Sequence, residues 1–135
     1  MADTGDYPRV LFVDDDERIL RGLGMWLRKQ AAHWEIRYAC GGTEALDLIQ
    51  EWEPDVVVTD MRMPKVDGAE LLLQVRECYP EALRIVLTGQ ADEGLSQRGA
   101  SLSHYWFDKP CERDRLIEAI ELWWGERAAD ETPNP

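Results

Sequence analysis

Residues 55–65 read DVVVTDMRMPK. Val56, Val57, Val58 and Thr59 are all β-branched, and they stand between two acids, Asp55 and Asp60. Such a run fits a short strand covered on both faces, the kind found in parallel sheets. Its end is unusual. A carboxylate at the close of a buried strand is costly unless something there compensates its charge. The fold and the function both turn on what surrounds Asp60.

Four other segments resemble this one in length and residue type. RVLFVD (9–14) runs into acids, EIRYAC (35–40) alternates weakly, LRIVLTG (83–89) is apolar to Thr88, and HYWFDKP (104–110) is aromatic and stops at a proline. These are the strand candidates. Helical patterns separate them. Ile19, Leu20, Leu23, Trp26 and Leu27 fall on one stripe. In GGTEALDLIQEW (41–52), Thr43 is placed to cap a helix whose face carries Ala45, Leu46 and Ile49. Leu72, Val75 and Tyr79 share a face that Pro80 ends, and Leu116, Ile120 and Trp123 repeat at helical spacing.

Residues 91–103, ADEGLSQRGASLS, hold two glycines and three serines with little periodicity. A helix there is expected to be short or irregular. The alternation of strand and helix predicts an α/β fold with helices on both faces of a parallel sheet. The favoured winding is flavodoxin-like and doubly wound, with five strands in the order 2-1-3-4-5 and five helices.

The chain has 135 residues, enough for one domain with a substantial core. Residues 1–7 read as an N-terminal extension, 8–127 as the domain, and 128–135 as a tail or the start of a linker. No apolar run approaches the length of a membrane span, and the N-terminus is unlike a signal peptide, so a cytoplasmic location is expected. A formal net charge of −12 argues against direct binding of nucleic acid. The three cysteines form no CxxC pair, so a zinc site or disulfide framework is not expected.

In sheets of this type ligands bind beyond the carboxyl ends of the strands. This sequence places Asp14, Asp15 and Asp16 after the first strand, Asp60 after the third, Thr88 after the fourth, and Asp108 and Lys109 after the fifth. Singly, each acid would serve as a helix cap or a solvated charge. Together they repel, and a divalent cation with hard-oxygen preference relieves that repulsion. Acids, a hydroxyl and an ammonium on one rim suit a phosphoryl group, with Asp60 as the nucleophile that forms an acyl phosphate.

The same residues resemble the receiver domain of bacterial two-component response regulators over roughly residues 8–125. VLFVDDDERIL is similar to that family's first strand and acidic pair, VVVTDMRMPKVDG to its phosphoacceptor segment, and IVLTG and WFDKP to its switch-hydroxyl and lysine segments. The resemblance implies phosphorylation of Asp60 and a catalytic set of Asp60, Thr88 and Lys109. It implies Mg²⁺, or Mn²⁺ in its place, held by Asp15, Asp60 and the Arg62 carbonyl, with Asp14 acting through water. It further implies a switch pair, Thr88 and Trp106, in which the hydroxyl swings to the phosphoryl and the indole turns inward. Arg62 and Gln90 would tune dephosphorylation, and the Lys109–Pro110 bond would be cis.

The partners so implied are a sensor histidine kinase or phosphotransfer protein, an output domain or effector, and a second copy through the face of the fourth helix, fifth strand and fifth helix. Such a domain is a switch with at most slow self-dephosphorylation, not an enzyme. Two departures stand out. Trp106 occupies a place where a smaller aromatic is more usual and requires a larger pocket, and the Thr88 to Lys109 interval is about one residue short. Trp123 and Trp124 are adjacent on the fifth helix, so one is expected at its edge.

Two other functions compete. FVDDDER also resembles the opening of haloacid-dehalogenase-type phosphatases, with Asp14 as nucleophile and Asp16 as general acid, but Arg18 departs from that pattern and Asp60 goes unexplained. A flavin carrier on this fold would set its phosphate against Asp16 and Glu17.

Overall fold

The buried run Val56–Thr59 is the central strand of the sheet. A computed structural model describes residues 7–89, 93–108 and 113–131 of the chain. The elements alternate as β1 (Arg9–Asp14), α1 (Glu17–Gln30), β2 (Glu35–Cys40), α2 (Gly42–Leu48), β3 (Val56–Thr59), α3 (Gly68–Cys78), β4 (Leu83–Thr88), α4 (Glu93–Leu102), β5 (Tyr105–Asp108) and α5 (Arg113–Glu131). All pairings are parallel and the strand order is β2-β1-β3-β4-β5, the expected winding.

The period of two along each strand divides the core in two. Val10, Phe12, Val56, Val58, Ile85, Leu87 and Phe107 face α1 and α5, where Leu20, Leu23, Leu27, Leu116 and Ile120 complete one cluster. Leu11, Val13, Val57 and Val86 face the other way, onto Met61, Leu71, Leu72 and Val75. Thr88 follows Val86 by two residues and Trp106 pairs with Val86 across the strands. Both therefore belong to the second face, the side of α3 and α4.

Among the three helices whose N-caps lie within the described residues, two are capped by a side chain. Asp16 Oδ1 accepts from the Arg18 N–H at 2.9 Å ahead of α1, and Asp67 Oδ1 accepts from the Glu70 N–H at 2.8 Å ahead of α3. The expectation that Thr43 caps α2 is corrected. The helix begins at Gly42, its cap is Gly41 at φ 106°, and Thr43 lies within the first turn, exposed. The conformation at Gly41 is one that only glycine adopts without strain.

Helix α4 is a ten-residue helix despite its composition. Tertiary contacts supply what propensity lacks. Arg98 Nη1 lies 3.4 Å from Asp67 Oδ2 on the β3–α3 loop, and the Arg84 guanidinium, 9% exposed, donates from Nε to the Leu102 carbonyl at 2.7 Å. That last bond satisfies one of the carbonyls a helix terminus leaves open. Helix α5 continues to Glu131, four residues into the segment read as tail. Trp123 packs on the first core cluster, and neither it nor Trp124 stands exposed, because the Arg127 guanidinium covers both rings at 5.2 and 5.8 Å. Among the described residues no helix is long and apolar enough to cross a membrane.

The Arg84–His104 contact makes a pH prediction. The Arg84 N–H donates to His104 Nδ1 at 3.0 Å, so the ring must be unprotonated there. Burial, and then the Arg84 charge, lower the His104 pKa from 6.5. A histidine lowered in the folded state contributes stability that is present above its unfolded value and lost as pH falls through the folded one. Melting temperature should therefore decline below pH 6.5 more steeply in the wild type than in His104→Asn, whose amide oxygen accepts the same bond without titrating. Parallel curves for the two proteins would dismiss this role.

Candidate functional site

Strand register brings the acids together. Val13 pairs with Thr59 and Thr59 with Val86, so Asp14, Asp60 and Leu87 stand at one level on the carboxyl edge of the sheet, with Thr88, the last residue of β4, one residue beyond. Asp14 is buried, Asp60 half-buried and Asp15 exposed, and one carboxylate oxygen of each lies within 4.8 Å of the others. The three charges thus form a graded mouth, open to solvent on the Asp15 side.

The backbone holds two of these groups in place. The Asp60 N–H donates to the Val13 carbonyl at 3.0 Å, and the Asp16 N–H donates to Asp14 Oδ1 at 2.9 Å. Among the described residues, Asp60 Oδ1 accepts from the Met61 N–H at 2.8 Å and from Thr88 Oγ1 at 2.7 Å. Charge-assisted bonds of this kind are stronger than neutral ones and fix the rotamer of the carboxylate.

The donor set suits a hard divalent cation. Three carboxylates at this spacing offer only oxygen ligands and leave part of the coordination shell to water or to a phosphate oxygen, which is the preference of Mg²⁺. The same set offers no imidazole or thiolate ligand among the described residues. Cys40 borders this rim, paired in register with Asp14, and its Sγ donates to the Asp15 carbonyl at 3.6 Å. Burial, followed by the charges of Glu17, Glu44, Asp15 and Asp14, pushes the Cys40 thiol up, so it remains a protonated neighbour rather than a ligand. Sequence reasoning overlooked Cys40 at this place, although its position at the end of the second strand carried the signal.

Arg62 lies exposed in the turn after the acceptor strand, and Trp106 is half-buried against the α3–α4 side of the core. Lys109, Pro110 and Gln90 lie outside the described residues, as does Cys111. Asp16 is turned to capping. The Arg18 side chain, with the Arg18 backbone N–H, holds its carboxyl below the usual range. A general acid has to keep its proton near neutrality, so this environment opposes the phosphatase reading of Asp16.

Two glycines shape the loop that carries Asp60. A Cβ on Gly68 would stand 2.2 Å from the Asp60 carbonyl oxygen and 2.8 Å from Met61 Cα. One on Gly42 would stand 2.3 Å from the Val66 carbonyl oxygen. The backbone thus closes on the loop from α3 and from α2, and only the second approach was invisible in the motif. Lys65 takes φ 69° at the turn tip, where Val66 N–H donates back to the Pro64 carbonyl at 2.8 Å. A non-glycine residue there is strained, a cost found at functional loops.

Comparison with known proteins agrees with this geometry. A family model described as the response regulator receiver domain matches residues 10–121. The response regulator MprA of Mycobacterium sp. (strain KMS) is 33% identical over 129 residues, covering 93% of this chain and 54% of that protein. The MprA of Mycolicibacterium vanbaalenii is 38% identical over 112 residues, covering 81% of this chain and 47% of that protein. The chain therefore spans about half the length of the curated relatives it matches. Among solved structures, a CheY-like receiver domain protein from Methanospirillum hungatei JF-1 superposes with a TM-score of 0.81 at 26% identity, covering 92% of this chain and 98% of that one. The response regulator TrrA of Thermotoga maritima, solved in complex with Mg²⁺ and BeF, gives 0.75 at 28% identity, covering 86% of this chain and 98% of that one. With the sheet order, the acidic mouth and this match in agreement, the chain belongs to the response regulator receiver domains, phosphorylation-driven signalling modules rather than classical catalytic domains.

Proposed function

We propose that Asp60 is the phosphoryl acceptor and that transfer to it requires Mg²⁺ or Mn²⁺ bound at Asp14, Asp15 and Asp60 with the Arg62 carbonyl. The observation that carries this reading is the meeting of three carboxylates within 4.8 Å, one of them gripped at Oδ1 by Thr88 and the Met61 N–H. An oxygen of the Asp60 carboxylate attacks phosphorus, the P–N bond of a donor phosphohistidine breaks, and its electron pair returns to the imidazole. The bound cation supplies charge neutralisation for the phosphoryl oxygens. Thr88 is already within hydrogen-bond reach of the acceptor, so it needs only to transfer its bond from Oδ1 to a phosphoryl oxygen. Lys109 completes the set as the second positive charge.

The donor is a sensor histidine kinase or a phosphotransfer protein. Relatives of about twice this length are named as response or transcriptional regulators, which supports an output domain or effector as the recipient of the signal. The face of α4, β5 and α5 is the surface through which that recipient or a second copy reads the state. Phosphorylation biases an existing equilibrium between two arrangements of that face.

The test is incubation with phosphoramidate, with Mg²⁺ or with a chelator, followed by intact mass. The reading expects one phosphoryl per chain, mapped to Asp60, and none in chelator. Turnover of phosphate monoesters without a trapped label would return the phosphatase reading. Lifetime gives a further expectation. Arg62 is exposed at the position two past the acceptor, where its side chain shields the phosphoryl from water. Arg62→Ala should shorten the half-life of the label, and an equal or longer half-life would remove this role.

A further inference from the structure

A tryptophan at position 106 needs more room than the smaller aromatics, and the room comes from α4. A Cβ on Gly99 would lie 2.7 Å from Trp106 Cζ3, 2.8 Å from Met61 Cε and 2.9 Å from Met61 Sδ. Real Cβ atoms do not approach other atoms so closely, so the indole, the thioether and the bare Cα of Gly99 occupy one shared slot. The same thioether reaches the far side of the loop, where a Cβ on Gly68 would lie 3.0 Å from Met61 Sδ. Met61 is fully buried. Its backbone N–H donates to Asp60 Oδ1, and its carbonyl accepts from the Gly68 N–H at 2.8 Å.

One residue therefore touches the acceptor carboxylate through its backbone and both α4 and the indole through its side chain. The neighbouring Arg98 ties the same turn of α4 to Asp67 on the acceptor loop. We infer that Met61, Gly99 and Trp106 form a packed relay in which Gly99 admits the indole to its inward position and Met61 links that position to the acceptor loop. Gly99 and Met61 are positioning residues. Neither touches the phosphoryl.

The physical reason is volume. Packed cores respond to an added methyl by displacing a neighbour, and of the two neighbours the rigid indole cannot bend away. The methionine, fully buried and held between Gly68 and Gly99, has no free space to yield into, so the half-buried indole must rotate out as a whole. Adding a methyl at 99 should therefore turn the indole outward, and shortening Met61 should let it return. The effect on the site follows by linkage. If the inward ring and the loaded acceptor favour each other, forcing the ring out weakens binding at the acceptor by the same factor.

This second half rests on the phosphorylation reading, and the first half does not. The experiment uses the whole chain labelled with fluorotryptophan, with the Trp106 resonance among the six tryptophans identified by its loss in Trp106→Phe. Three proteins are compared, wild type, Gly99→Ala and Gly99→Ala/Met61→Ala, each titrated with beryllofluoride in the presence of Mg²⁺. In Gly99→Ala the Trp106 resonance should move toward the solvent-exposed range and the affinity should fall about five-fold or more. The double variant should regain both. Alanine is a better helix former than glycine, so Gly99→Ala is expected to fold. Gly99→Ala/Trp106→Phe provides a second check, because a smaller ring frees the slot and should restore affinity without Met61 being altered.

An unmoved Trp106 resonance in Gly99→Ala overturns the relay. So does an affinity loss of equal size in the single and double variants, since the ring would then not be its cause. A wild type that binds no beryllofluoride refutes the phosphorylation reading, and the ring's response alone then decides whether the packing relay stands.

Discussion

Asp60→Asn yields a folded protein that takes up no phosphoryl group from phosphoramidate and that melts higher than the wild type in chelator. The two results have one cause. Asparagine keeps an oxygen at the Oδ1 position, so the bonds from the Met61 N–H and Thr88 Oγ1 can be retained. What it removes is a charge and a nucleophile. Two like charges at 4 Å cost on the order of 1 kcal/mol even when screened as in bulk water. Without a cation the wild type bears that repulsion among Asp14, Asp15 and Asp60, and the variant does not.

Adding Mg²⁺ should reverse the order. A ligand that binds only the folded state at a hundred times its Kd stabilises by about 2.7 kcal/mol. The variant, with one carboxylate fewer, binds the cation more weakly and gains less. Melting curves in chelator and in Mg²⁺, with intact mass after phosphoramidate, check all three outcomes. Label on the variant would move the acceptor elsewhere, and equal Mg²⁺ shifts in both proteins would show that Asp60 is no ligand.

Much of this site could be read from strand ends alone. The β-branched run before Asp60 and the apolar run before Asp14 each predicted where a strand stops, and the winding of a parallel sheet puts all such stops on one edge. What escaped reading depends on contacts between segments remote in sequence. Thr43 looked like a cap because local propensity favours a hydroxyl there, yet Gly41 takes the cap at a φ that no local rule demands. Gly99 looked like a helix breaker in a weak helix. In three dimensions it is the clearance for Trp106 and Met61, and Arg98 and Arg84 anchor the helix that propensity left in doubt. Likewise, the adjacency of Trp123 and Trp124 placed one ring at the edge of the helix, and the half-burial of both is completed by a contact no local pattern shows, the Arg127 guanidinium that covers them.

Gly68→Ala is expected to be the most damaging glycine-to-alanine change among the described residues. Its Cβ would stand 2.2 Å from the Asp60 carbonyl oxygen and 2.8 Å from Met61 Cα, both backbone atoms. No rotamer change relieves such a contact, so either α3 must back away or the acceptor loop must move. Backing away breaks the 2.8 Å bond from the Gly68 N–H to the Met61 carbonyl, and it pulls the Asp67 cap from the start of α3. Overpacking of this kind costs about 1–3 kcal/mol and a lost cap about 1 more. Moving the loop displaces Met61, whose N–H positions the Asp60 carboxylate, so Mg²⁺-dependent labelling should fall even in the fraction that stays folded.

The same substitution elsewhere gives the control. Gly22 and Gly125 lie inside α1 and α5, and a Cβ at either meets nothing within 4 Å. There alanine should stabilise, by up to about 1 kcal/mol, because it loses less backbone entropy in a helix. Chemical denaturation of the three variants should place Gly68→Ala well below the wild type and the other two at or above it. A Gly68→Ala protein with wild-type stability and labelling would mean that α3 and the acceptor loop do not close on each other as tightly as the 2.2 Å approach requires.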